Sequence, residues 1–400
     1  MSTLNIGISG LNAASSELNV ISNNIANSST TGYKAKGVQF ADVYSATGQG
    51  GGVYVSAVSA DYAQGAIEYT TSGLDLAISG GGFFMTEDAN GNALYTRAGN
   101  FKVDKDGMIV NASGQKLQGY PVDGNNNIVN GTLTDLKIDK SDQPAKATAN
   151  ATLSANLDSR SKKPNVSTFD HKDPDSYNFT TSTVVYDQQG TPKTVSAYYV
   201  KTENNKWDVH YLEDTQPTPT AVAANPVKIE FDESGKLIGD GKVTLSVSGS
   251  TLDKISISMD ISKLSQFGTD SSVSASTQDG NMPGSFTGLQ VADDGSIFAT
   301  YTNGDTRLQG MVALATFPNN NGLVDAGNTS WRATSESGAP IVGEPGSGAN
   351  GTLQSGALEL SNVNLTSELV SMVVAQSNYQ ANAKTISASN EMTQVLLNTI

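Results

Sequence analysis

The hydrophobic period of this chain changes twice, and that switch limits the fold more than any other feature. Leu4, Ile8, Leu11, Leu18, Ile21 and Ile25 recur at spacings of four, three, seven, three and four. At the other end Leu365, Leu369, Met372, Tyr379, Ile386 and Leu397 keep a three-four rhythm, filled in by Gln376, Ala383, Asn390 and Thr393. Both patterns trace one face of a helix. Between them, stretches such as "GVYVSAV", "ALYTRAGNFKV" and "KVTLSVSG" alternate apolar with polar residues and break at Gly, Asn and Asp, as strands and hairpins do. Two terminal helices therefore bracket a β-rich body.

Each helix carries its own start signal. Ser2 or Thr3 can cap the first, and Asn364 the second, with Glu368 in a first turn where a carboxylate complements the helix dipole. Gly7 and Gly10 inside the first pattern each cost about 1 kcal/mol relative to alanine. A helix that keeps both has either a close backbone approach or a partner that stabilises it. The second helix would be roughly 50 Å long. Residues 365–384 hold only two charged side chains, Glu368 and Lys384. Pairing the helices with each other would bury one face of each. The remaining faces carry Ser, Thr, Asn and Ala, where a solvated helix usually displays Lys and Glu. The twelve apolar residues named above are thus expected to form an assembly seam with other chains, and helix folding to be coupled to assembly.

A small motif recurs in the β-rich part: "VDKDGMI" from 103, "FDESGKLI" from 231, "VADDGSI" from 291 and the looser "YDQQGTP" from 186. Asp and Gly in those places suit tight hairpin turns. Asp104 and Asp106 have the spacing of the first ligands of a calcium loop, but no Glu follows at the bidentate position and the flanks read as strands. Residues 140–165 and 268–285 read as polar linkers. The strands between them read as a separate β-domain inserted into a second one.

Little in the sequence speaks for chemistry. The chain has 39 acidic and 24 basic residues, a net charge of −15, which disfavours a nucleic-acid backbone or an anionic membrane as its main partner. With no cysteine there is no thiolate site and no disulfide. His171 and His210 are the only histidines and have no convergent ligands in sequence, so both read as ordinary surface or strand residues. "GQGGGV" from 48 and "SGGGFF" from 79 lack the Gly-Lys-Ser/Thr and helix of a phosphate cradle. No catalytic, cofactor-binding or metal-binding residue is assigned, and no enzyme is expected. The first basic residue is Lys34, and no apolar run suits a cleaved signal peptide or a membrane span. Asn-x-Ser/Thr sites, at Asn111 and Asn178 for instance, are expected by chance in so Asn- and Thr-rich a chain.

Four segments carry a resemblance. "SGLNAASSELNVISNNIANSSTTGYK" (9–34), with its "NNIAN…TTGYK" end, resembles the N-terminal signature of bacterial flagellar rod and hook axial proteins. "LDLAISGGGFF" (74–84) and "YTRAGNFKVDKDGMIVNASGQKLQGYPVD" (95–123) resemble that family's core segment, and "SGALELSNVNLTSELVSMVVAQSNYQANAK" (355–384) its C-terminal signature. The length and the single large insert are similar to hook subunits rather than to the shorter distal rod subunit. Outside the family, a secreted β-rich adhesin is the alternative.

The resemblance implies a multi-domain α+β chain. Its long terminal helices would form a coiled-coil-like assembly domain, and two mainly antiparallel β-domains would be nested between them. The implied parts are an assembly helix and signature at 1–35, an extended connector at 36–73, and an inner β-domain in two halves, 74–144 and 285–360. An outer β-domain is inserted at 145–284, and a second assembly helix occupies 361–400. The function implied is a structural hook subunit that polymerises into a curved flexible tube and transmits motor torque. Implied partners are other copies of itself, the hook cap protein, the distal rod protein, the hook–filament junction protein and the flagellar type III export apparatus. No nucleic acid, membrane insertion or cofactor is implied, and the expected location is the extracellular flagellum, reached without a cleaved signal.

Overall fold

The computed structural model describes residues 2–44, 50–124, 126–129, 131–166, 168–214, 219–223, 226–249 and 254–398. Helix α1 spans Ser2–Ala26 and helix α2 spans Leu365–Asn398. The side chains of Ser2, Thr3 and Leu397 lie outside the described residues. Asn364 caps α2 as its chemistry suggests: its Oδ1 accepts the Ser367 N–H at 3.1 Å. After α1 the chain forms a long antiparallel hairpin of β1 (Lys36–Tyr44) and β2 (Gly50–Ala60), whose strands lie against α1.

The chain divides into two compact units, the first made of residues 1–140, 288–300 and 306–400. Its main sheet runs in the order Thr306–Val312, Lys116–Pro121, Phe83–Glu87, Ala93–Thr96, Ser330–Arg332 and Val324–Gly327, with antiparallel pairing throughout. Consecutive side chains of a strand point to opposite faces, and here both faces are covered. Phe84 therefore enters a core with Phe101, Leu117 and Leu314, while its neighbour Phe83 enters another with Tyr95, Phe317 and Trp331. This two-sided burial is why "GGFFMT" reads as a continuous apolar run rather than an alternating one. Short ladders tie Leu76–Ser79 to Thr352–Ser355 and Ile67–Tyr69 to Ala357–Glu359, which brings the segment ahead of α2 onto the same body.

The second unit comprises residues 141–287 and 301–305. A six-stranded antiparallel sheet and a five-stranded sheet share one core that includes Leu153, Leu157, Tyr199, Trp207, Leu245 and Ile257. The buried indole N–H of Trp207 donates to Gln266 Oε1 at 2.7 Å, so the largest core side chain leaves no polar atom unsatisfied. Two ladders in the smaller sheet are parallel: Asn150–Asp158 runs alongside both Lys254–Asp260 and Ser265–Phe267.

The linker expectation is corrected in both places. Residues 150–158 are the central strand of that sheet, and Ser272–Gln278 pairs with them antiparallel. The strand buries Ala151, Leu153, Ala155 and Leu157 on one face. With two of four inward positions occupied by alanine, the alternation is too weak to stand out from a polar loop.

All four Asp–Gly motifs close hairpins. In the motif from 291 Asp294 Oδ1 accepts the Ser296 N–H, whereas the three from 103, 186 and 231 share one device. Oδ1 of the first residue accepts the backbone N–H groups two and four positions on, while the residue three positions on adopts a positive φ. Asp104 binds Asp106 and Met108 with Gly107 at φ 85°, Asp187 binds Gln189 and Thr191 with Gly190 at 78°, and Asp232 binds Ser234 and Lys236 with Gly235 at 82°. Asn111 does the same with Ser113 and Gln115. The carboxylate oxygen of Asp104 that a calcium loop would present is thus occupied by backbone amides.

Candidate assembly surface and the joint that carries it

Two features of the first unit bear on function: a polar joint where the termini meet the β-body, and the helical surface held beyond it. The joint is built from the ends of three motifs. Gly32 adopts φ 70° and donates its N–H to Glu359 O at 2.8 Å. A Cβ on Gly32 would stand 2.4 Å from the Ala98 nitrogen, so only glycine permits this approach. The turn delivers Lys34 inward, where its Nζ lies 2.6 Å from Glu359 Oε1 and 2.6 Å from Ala63 O. The side chains of Lys34 and Glu359 are both 0% exposed. The other carboxylate oxygen takes Arg97 Nη1 at 3.1 Å, Oε1 also takes the Gly65 N–H at 2.9 Å, and Arg97 Nη2 donates to Gly80 O at 2.9 Å.

Burial lowers the pKa of the Lys34 ammonium, opposed by its hydrogen bond to Glu359, and lowers that of Arg97 for the same reason. The cluster holds two cations on one anion, and each cation also donates to a backbone carbonyl. Buried charges persist only with this degree of pairing. Asn362 adds a second tie: its Oδ1 accepts the Ala35 N–H at 2.7 Å, and its Nδ2 donates to Asp61 O and Ala63 O at 2.9 and 3.1 Å.

Beyond the joint, α1 and α2 lie antiparallel against each other, since Gly7 meets Ile386, Gly10 meets Asn382 and Asn24 meets Glu368. The residues that are not exposed along α2 include Glu368, Met372, Ala375, Asn382, Ile386 and Ser389, at spacings of four, three, seven, four and three. This inward stripe is mostly small or polar. On α1, Gly7, Ala14, Ile21 and Asn24 are buried. The hairpin is fitted on as closely: a Cβ on Gly52 would stand 2.3 Å from Ser9 Oγ, which itself accepts the Val53 N–H.

The twelve seam residues fall in different places. Ile21 is buried. Leu4, Leu11, Leu18, Ile25, Met372 and Ile386 are half-buried. Ile8, Leu365, Leu369 and Tyr379 are exposed. Leu397 belongs to α2, with its side chain outside the described residues. Of those described, Ile386 is brought against α1 at Gly7. The most exposed apolar residues of α2 include five that are not among the twelve: Val370 (60%), Val373 (65%), Val374 (53%), Met392 (64%) and Val395 (63%). Phe40, Val43, Tyr54 and Val58 are exposed on the hairpin. The joint residues Asn24, Lys34, Arg97, Glu359 and Asn362 are also not singled out by sequence, although each lies inside a motif that carries the resemblance. Their signal is a charged or amide residue set among small and apolar ones.

Neither histidine takes part. His210 stacks on Phe169 at 4.1 Å between centroids, and His171 Nδ1 lies 3.5 Å from Asp170 Oδ1. Among the described residues no group of three or more His, Cys, Asp or Glu is placed to hold a metal, and no helix is long and apolar enough to cross a membrane.

Comparison with known proteins follows the same segments. Four family models match in chain order: flagellar basal body rod protein (4–34), flagellar hook protein FlgE/F/G D1 domain (77–152), flagellar basal body protein FlaE D2 domain (156–281) and flagellar basal body rod FlgEFG protein C-terminal (354–399). Flagellar hook protein FlgE of Escherichia coli is 39% identical over 398 residues, covering 98% of both chains. The chain belongs to the flagellar hook protein family. Hook proteins FlgE of Salmonella typhimurium (38%, 98% of both chains) and Rhizobium meliloti (34%, 99% of this chain and 98% of the relative) agree. The crystal structure of Helicobacter pylori flagellar hook protein FlgE2 shares the fold, with a TM-score of 0.55 at 15% identity over 72% of this chain and 99% of that one. The joint therefore ties together the rod-protein segment, the D1 segment and the C-terminal segment of a hook-family chain. That family is a structural one.

Proposed function

We infer that this chain is a structural subunit of the flagellar hook and that it polymerises through the outward faces of α1, α2 and the β1–β2 hairpin. The observation that carries the assembly reading is the run of exposed valines at 370, 373 and 374, continued by Met392, on a helix whose inner stripe is already in contact with α1. Three exposed β-branched apolar residues within five positions are unfavourable in water, and contact with further subunits relieves this. A chain that buries such a face by a heterologous, non-closing contact builds an open helical assembly. The terminal helices would pack in coiled-coil fashion, with the twelve seam residues named above divided between the contact inside the chain and contacts to neighbours.

In this reading the assembly is a curved tube that passes torque from motor to filament. Its outer layer is the inserted β-domain at about 145–284, where polar, Gly- and Asn-rich contacts slide at low cost as the tube turns. The partners are other copies of the chain, the distal rod protein, the cap protein under which subunits add, and the hook–filament junction protein. The chain reaches the cell exterior through the flagellar type III apparatus without loss of an N-terminal signal. The test is assembly of the purified full-length protein and of a variant lacking 145–284, viewed by electron microscopy. Tubes from both, with altered curvature in the deletion, are expected. A full-length protein that stays monomeric at every concentration and in cells would overturn the reading.

A further inference from the structure

We propose that Asn24 is a positioning residue that sets the angle between the helix pair and the β-body, and through it the shape of the assembled tube. It is 1% exposed, lies at the end of α1, and uses its whole hydrogen-bonding capacity on three other segments. Nδ2 donates to Lys36 O at 2.8 Å and to Glu368 Oε1 at 3.1 Å. Oδ1 accepts the Lys36 N–H at 3.0 Å and the Tyr33 hydroxyl at 3.2 Å. One carboxamide thus joins α1, the turn that follows it, the first residue of β1 and the first turn of α2. Because Lys36 offers both its N–H and its C=O, the orientation of the amide is fixed by its partners.

No other side chain fills this place. Aspartate keeps the two acceptor contacts, loses both donors and sets a carboxylate beside Glu368. Leucine loses all four contacts, and glutamine is a methylene too long. The separate Lys34–Glu359–Arg97 cluster ties the turn after α1 and the strand ahead of α2 to the body without any contact from Asn24. Asn24 is therefore not needed to keep the termini attached; what it adds is the direction in which α1 and α2 leave. In a helical polymer a small change of angle in every subunit accumulates along the tube, so a local contact acquires a large readout.

This inference rests on the assembly reading, and the experiment separates the two. Full-length Asn24→Asp, Glu368→Gln and the double variant are compared with the parent in two measurements. The first is hydrogen exchange of the unassembled subunit. Aspartate at position 24 still accepts the Lys36 N–H, but loss of both donor contacts and repulsion from Glu368 are expected to loosen the site that protects it. Exchange of the Lys36 amide should then speed up about tenfold, the effect of one or two lost hydrogen bonds, with the β-units unchanged. The second is the curvature of hooks isolated from cells that make only the variant chain.

Asn24→Asp is expected to give hooks of altered curvature. Glu368→Gln, which retains an accepting oxygen, is expected to keep the parental shape. In the double variant the carboxamide introduced at position 368 donates to the carboxylate introduced at position 24, and the shape is expected to move back toward the parent. Hooks of parental shape from Asn24→Asp, despite faster Lys36 exchange, would overturn the proposal and leave Asn24 a local staple. If Asn24→Asp makes no hooks, the double variant decides: restored hooks support the proposal and continued absence overturns it. Failure of the parent itself to form hooks would overturn the assembly reading instead.

Discussion

Gly7 of α1 and Ile386 of α2 meet so closely that a Cβ on residue 7 would stand 2.9 Å from the isoleucine Cγ1. Gly10 repeats the arrangement with Asn382, whose Oδ1 would lie 2.6 Å from an added Cβ. The glycines that weaken α1 by about 1 kcal/mol each are the places where α2 approaches it. Both side chains that a Cβ would strike belong to the inward stripe of α2, so the fit depends on small residues rather than on large apolar ones.

Gly7→Leu should therefore part the helices without touching the β-units. Limited proteolysis of the unassembled variant is expected to remove α2 faster than in the parent, with the β-units resistant. An α2 that resists equally in both would show that the close approach does not hold the pair together.

Glu359 is the carboxylate that pairs with both buried cations, so its removal takes that partner from each. Glu359→Ala is expected to destabilise the first unit by about 3–5 kcal/mol, the usual effect of breaking a buried pair from one side. Urea unfolding followed at the tryptophans separates the units, because Trp331 reports on the first and Trp207 on the second. Equal loss in both signals, or a loss under about 1 kcal/mol, would contradict the role assigned to the carboxylate.

Burial, with a smaller contribution from Asp325, pushes the Tyr62 hydroxyl from 10.0 up to about 12. A raised folded pKa means that the native state keeps a proton the unfolded chain has lost. The associated stability is full below pH 10 and is lost as pH rises toward about 12. Tyr62→Phe should make the decline of stability over that window shallower. Tyr33 and Tyr95, also raised by burial, will retain part of the slope. Parallel stability–pH curves for the variant and the parent would remove Tyr62 from the account.

Ile21 and Leu369 both belong to the expected seam, and the structure separates them. Ile21 is buried within the chain and Leu369 is 47% exposed. Ile21→Asp is expected to lower helix content in the monomer by circular dichroism and to abolish assembly. Leu369→Asp is expected to leave the monomer unchanged and abolish assembly only. Normal tubes from Leu369→Asp would take that face out of the interface.

The fold was legible where the signal is local. Hairpins at 103–109 and 231–238 follow from an Asp whose oxygen reaches two nearby amides and a Gly free to take positive φ, all within five residues. The strand at 150–158 was not legible, because alanine at 151 and 155 buries a face without advertising it. Of the joint, only the surrounding motifs were visible. A lysine and a glutamate 325 residues apart leave no periodic trace of their contact.

The sequence by itself determined the element types and their order: helix, β-rich body, helix. A period of 3.6 or of 2 is a property of neighbouring residues and survives without any tertiary context. It also determined the family, since the motifs that carry it are short and contiguous. Only the tertiary structure decided which stripe of each helix turns inward. Beside Ile21, Met372 and Ile386 that stripe is built largely from Gly7, Gly10, Ala14, Ala375 and Asn382, small and polar residues selected by how closely two backbones approach. Hydrophobicity does not encode distance of approach, so the valines of α2 could face outward although they are its more apolar side chains.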